Sequence, residues 1–131
     1  MTHAENLQLD KNHAAMVASY IQAMQWATYD DNGDYLEDYE LSEEARQAAV
    51  VACAKFLAVH GKDLDVVINI HDYTYGMAGH DLFLTRERHG VGFWDRDRDL
   101  GHYGDVFTKY CEGIGECSPY VGDDNLIYMG E

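Results

Sequence analysis

The chain has 131 residues, 47% of them hydrophobic, with 24 acidic side chains against 9 basic ones and a formal net charge of −15. That length corresponds to one domain with room for a core, and the apolar share argues against a disordered chain. Bare nucleic acid or an anionic membrane would repel such a surface, so direct binding to either is not expected.

The predicted elements follow in chain order. Residues 1–10 are polar and read as a frayed end, with Asp10 as a helix N-cap. From there to about Thr28 two apolar stripes run at helical spacing, Ala14/Val17/Ala18/Ile21/Met24 and Met16/Tyr20/Ala23/Ala27, so the helix has more than one buried face. Asp30 to Glu40 reads as a loop. Ser42 caps a second helix with Glu43 and Glu44 in its first turn, where the helix dipole favours acids. Its stripe of Ala45, Ala48, Ala49, Ala52, Cys53, Phe56 and Leu57 suggests close packing on the first helix, and His60-Gly61 reads as its end. Asp65 to Ile70 favours a strand through its β-branched residues, with a further helical turn as the alternative. Leu82–Thr85 and Val91–Trp94 around RERHG predict a hairpin over Ala78 to Arg96. Leu100 to about Cys111 reads as a third helix, and Tyr120-Val121 and Leu126–Met129 around GDDN as a second hairpin. The expected fold is a single α+β domain over residues 1–131: two N-terminal helices, a further helix and a small antiparallel sheet built from hairpins.

The stretch AGHDLFLTRERHGVGFWDR, Ala78 to Arg96, resembles a family of small, largely uncharacterised phage and prophage proteins whose shared motif runs much like AGHDFWLTRNGHGAGFWDR. YVGDDNLIY, Tyr120 to Tyr128, is similar to the same family's C-terminal stretch. The resemblance covers the chain from Ala78 onward. It departs from the motif at Leu82-Phe83, at the wider Arg86-Glu87-Arg88 turn and at the charged run Arg96 to Asp99. It implies a phage-type accessory protein in the host cytoplasm and no particular reaction. The chain also has no basic n-region followed by an apolar run and no apolar stretch approaching membrane-spanning length. Cys53, Cys111 and Cys117 form no CxxC pair, which suits reduced thiols.

His71-Asp72 and His80-Asp81 are His-Asp steps, and His80, His89 and His102 could converge around the first predicted hairpin, where neutral imidazoles would suit zinc or nickel. The simpler expectation is that His80 and Asp81 hydrogen-bond to backbone and lock the entry of the predicted hairpin. Asp30, Asn32 and Asp34 begin like a calcium loop, but Tyr35 and Leu41 stand where that loop needs Gly and Glu. Cys53 lies on an apolar stripe, and neither Cys111 nor Cys117 has an evident positive neighbour to activate it. Phe83, Phe93, Trp94 and Tyr103 read as core, and Arg86, Arg88, Arg96 and Arg98, interleaved with Glu87, Asp95, Asp97 and Asp99, as a self-paired network.

The expected function is therefore binding without catalysis, cofactor or metal. The protein would inhibit a host defence protein that handles nucleic acid, of anti-CRISPR or anti-restriction type, by acidic DNA mimicry. Asp30, Asp31, Asp34, Glu37, Asp38, Glu40, Glu43 and Glu44 place eight acids within Asp30–Glu44 with no base among them, and form the expected contact surface for a basic host protein. The alternative is a metal-dependent hydrolase centred on His80 and Asp81.

Overall fold

Residues 10–30, 32–88, 92–96 and 100–130 are described by the computed structural model. Asp10 caps helix α1 (Lys11–Ala27), its carboxylate accepting from the His13 N–H at 2.8 Å. Met16, Val17, Tyr20, Ala23 and Met24 bury along α1, which packs most extensively on helix α3 (Tyr75–Arg86) and less on helix α2 (Glu43–Ile70). The Ser42 hydroxyl accepts from the Ala45 N–H at 3.0 Å and starts α2, with Glu43 and Glu44 in the first turn. Helix α4 (His102–Ile114) follows, and the chain ends in a hairpin. Among the described residues no helix is long and apolar enough to cross a membrane.

Strand β1 (Glu40–Leu41) pairs parallel to β3 (Leu126–Met129), and β2 (Pro119–Val121) pairs antiparallel to β3. The sheet is thus mixed, in the order β1-β3-β2, where an antiparallel sheet of hairpins was expected. The C-terminal hairpin is as predicted: Gly122–Asn125 turn the chain, and Asn125 takes the left-handed conformation at φ 62° that asparagine tolerates.

Three further expectations are corrected. Ala78 to Arg96 is not a hairpin. Thr74 caps α3 by accepting from the Met77 N–H, the helix runs to Arg86, and a short 3-10 turn covers Phe93–Asp95. Ala78, Leu82, Phe83 and Leu84 are all fully buried, so α3 is surrounded by core and shows no amphipathic period to read. Of the predicted turn Arg86 to Gly90, Arg86 is the last residue of α3, while His89 and Gly90, with Val91 of the predicted second strand, lie outside the described residues.

Helix α2 does not stop at His60-Gly61. His60 leaves helical geometry at φ −121°, ψ 15°, which kinks the helix, and Leu64 and Val67 bury beyond the kink. Asp65 to Ile70 is therefore helix, the alternative to the favoured strand. Finally, the loop after α1 holds a short 3-10 turn, Leu36–Asp38, that plugs Leu36 into the core.

The core centres on Phe56. Its ring lies 5.8 Å from Phe93, nearly parallel, and 5.2 Å and 5.3 Å from Phe107 and Tyr110 in edge-on contacts. Phe83 and Phe93 are buried as expected, and Trp94 and Tyr103 are half-buried.

Candidate functional site

Two regions gather the polar groups singled out in the sequence: the knot around Asp81, and the acidic surface between the loop after α1 and the C-terminal hairpin.

Asp81 is buried on α3. One carboxylate oxygen accepts from the Tyr73 hydroxyl at 2.6 Å and from Arg96 Nε at 2.7 Å, and the other from Arg96 at 3.2 Å. His80 Nδ1 stands 3.5 Å from the second oxygen. Burial opposes the Asp81 charge, but the hydrogen bonds from His80, Arg96 and Tyr73, with the Arg96 charge, more than offset it and hold the carboxyl below its usual range. The pair ties the 3-10 turn to α3. Nearby, the Thr85 hydroxyl accepts from the Phe93 N–H at 3.0 Å, and a Cβ on Gly92 would come within 2.3 Å of that hydroxyl. Arg86 is buried and donates to the Gly115 carbonyl at 2.8 Å and the Tyr20 hydroxyl at 2.9 Å. Glu87 accepts from the Cys117 N–H at 2.7 Å. The motif stretch from Gly79 to Arg96 thus supplies several of the bonds that hold the C-terminal half to α1 and α3.

The expected backbone hydrogen bonds at a hairpin entry are thus replaced: His80 and Asp81 lie on a helix, and Asp81 is held by side chains, Tyr73 and the distant Arg96 among them. Among the described residues no group of three or more His, Cys, Asp or Glu side chains converges as a metal site would require. His102 is exposed and stacks on Tyr103 at 4.2 Å; His89 lies outside the described residues. Of the arginine network, Arg96 pairs with Asp81, while Asp97, Arg98 and Asp99 lie outside the described residues. All three cysteines are buried, and burial pushes each thiol up to about 12, which leaves no thiolate near neutrality.

Removing the Asp81 carboxylate would leave Arg96 and the Tyr73 hydroxyl without it. Asp81→Ala should lower stability by about 2–4 kcal/mol, somewhat below the loss for a fully buried pair because the Arg96 side chain is 28% exposed. Urea denaturation checks this, and a loss below about 1 kcal/mol would show the pair to be dispensable. The folded-state pKa of Asp81 is depressed, so its contribution is present above the unfolded carboxyl pKa and is lost as pH falls through the folded one. The wild type should therefore lose more stability on acidification than Asp81→Ala does.

The acidic surface begins at Asp30. Its carboxylate accepts from the N–H groups of Asn32 and Asp34 at 2.8 Å and 2.9 Å and from the Tyr39 hydroxyl at 3.1 Å. The Asp34 N–H, with those of Asn32 and the Tyr39 hydroxyl, holds the Asp30 carboxyl below its usual range. The loop that begins like a calcium site is thus closed on its own backbone. Asp34, Glu37, Asp38, Glu40, Glu43 and Glu44 are exposed, and Asp31 lies outside the described residues.

The sequence did not foresee that the C-terminal turn joins this surface. Asp124 accepts from the Leu126 N–H at 3.1 Å and the Tyr128 hydroxyl at 2.6 Å, and borders one depression with Asp38, Tyr39 and Glu40. The parallel pairing of Glu40 with Leu126 brings the two together. No local pattern encodes that pairing. Exposed tyrosines lie beside the acids: the rings of Tyr29 and Tyr35 pack at 4.5 Å with their planes tilted by 31°, and Tyr120 lies across the ladder from Tyr128.

No protein-family model, no curated protein and no solved structure matches this chain.

Proposed function

We propose that this protein is a phage-type accessory inhibitor that occupies the basic groove of a nucleic-acid-handling host protein, of the anti-restriction or anti-CRISPR kind, in place of the nucleic acid. The supporting observation is the convergence of acids from two distant parts of the chain, Asp38 and Glu40 with Asp124, on one depression. Exposed Asp34, Glu37, Glu43 and Glu44 extend the acidic stretch along the same loop and the start of α2. Carboxylates held this way can stand where a partner's Lys and Arg would meet phosphates. Asp30 closes its loop through hydrogen bonds that also keep its carboxylate ionised, so it both shapes the surface and adds charge to it.

A pull-down from host lysate identifies the partner, and competition with its nucleic acid tests the reading. Changing Asp34, Glu37, Asp38 and Glu40 to Asn and Gln should weaken binding by about tenfold or more, at a few tenths to about 1 kcal/mol per lost pair. The same number of changes at exposed Asp72, Asp105, Glu112 and Glu116 should have little effect. Asp123 and Asp124 are unsuitable as controls because Asp124 borders the acidic depression. Binding should weaken with added salt. Equal losses from both sets would reduce the effect to a diffuse field, and indifference to salt would overturn the reading.

A further inference from the structure

We infer that the tyrosine-walled surface around Tyr39 reads arginine: it selects partners that present guanidinium groups over partners that present ammonium groups. The inference rests on the acidic-surface reading above and names the chemistry of the partner's contact residues.

Aromatic side chains left in water carry it. Tyr29 is 57% exposed and Tyr120 52% exposed, and with Tyr39 they wall a depression of about 360 Å³ that Asp30 and Asn32 also line. Tyr39 also borders the second depression, with Asp38, Glu40 and Asp124. The rings are held by one another. Tyr29 and Tyr35 pack as a tilted pair with their hydroxyls 2.9 Å apart, and Tyr120 and Tyr128 lie 5.8 Å apart and near-parallel. Two carboxylates are held by tyrosine hydroxyls, Asp30 by Tyr39 and Asp124 by Tyr128, and both also by backbone N–H groups. These acids lose little freedom on binding, which favours a partner with fixed geometry.

Guanidinium has that geometry. It is planar, weakly hydrated, stacks on aromatic faces and offers a rigid fork of donors to carboxylates. Ammonium is a compact, strongly hydrated point charge that gains less from a ring face. A surface of acids alone would distinguish the two cations only through that fork of donors; acids set between exposed tyrosines add the ring faces on which guanidinium stacks. Tyrosine enrichment is also what the contact centres of protein interfaces show.

The test measures fluorescence anisotropy of the full chain with two labelled peptides of equal length and charge, one carrying arginines and the other lysines. At roughly 0.15 M salt, where long-range attraction is screened, the arginine peptide should bind about tenfold tighter. Tyr120→Ala should move that ratio toward one, weakening the lysine peptide far less than the arginine peptide, since no charge is altered and ammonium gains less from the ring. Tyr120→Leu, which keeps bulk on the exposed strand without a π face, should do the same and guards against a loss of fold. Equal binding of the two peptides by the wild type would overturn the inference and leave the acidic reading standing. Equal weakening of both peptides by the Tyr120 variants would also overturn it. Failure of both peptides to bind at low salt would overturn the two readings together.

Discussion

Replacing Phe56 by alanine should lower stability by about 3–5 kcal/mol, the range for deleting a fully enclosed aromatic side chain. Phe56 has no exposed surface and its ring touches Phe93, Phe107, Tyr110 and His60. These neighbours come from α2, the 3-10 turn and α4, so the cavity would open where three parts of the chain meet. Each aromatic pair contributes about 0.5–1.5 kcal/mol beyond area burial, which places the loss toward the upper end. Val59→Ala, on the same helix but 62% exposed, should change stability by less than about 0.5 kcal/mol. Urea denaturation of both variants checks the contrast. A Phe56→Ala loss under 1 kcal/mol would mean that α2 buries a different face.

A single methyl group at Gly79 should be as damaging. A Cβ there would sit 2.0 Å from the Met16 carbonyl oxygen and 2.8 Å from its carbon. Both are backbone atoms of α1, so no side chain can rotate away, and α1 and α3 must separate. The intrinsic helix preference for Ala over Gly, about 1 kcal/mol, is too small to offset that. Gly79→Ala should therefore cost about 3 kcal/mol or more, at or above the usual range for overpacking. Gly113 on α4 supplies the opposite case, because its Cβ would meet nothing within 4 Å. Gly113→Ala should stabilise by up to about 1 kcal/mol. Thermal melts of the two variants should move in opposite directions. A Gly79→Ala protein as stable as wild type would show that the close α1–α3 approach is not required.

Local chemistry made several elements legible in the sequence. Asp10 and Ser42 are helix caps by the oxygen they carry, and both accept the N–H three residues on. The Ala45/Ala49/Cys53/Phe56 stripe buries as its spacing dictates. GDDN between two β-prone runs turns a hairpin. The knot around Asp81 was less legible. The importance of the stretch could be seen, but its shape could not, because a helix buried on every side loses the polar face by which periodicity is recognised. One missed signal was present: Thr74, three residues before Met77, is a helix N-cap.

By itself, the sequence determined the acidity, the caps, the α2 stripe and the C-terminal hairpin, since each depends on composition or on residues a few positions apart. Only the tertiary structure decided the rest. It set Asp81 against Arg96 and Tyr73, carried α2 on through a kink at His60, and paired Glu40 with Leu126 in parallel. That last pairing brings Asp38 and Glu40 to Asp124 and ranges tyrosines from the loop and the hairpin around them. Such juxtapositions depend on how separate elements bury their apolar faces together, and no local run of residues carries that information.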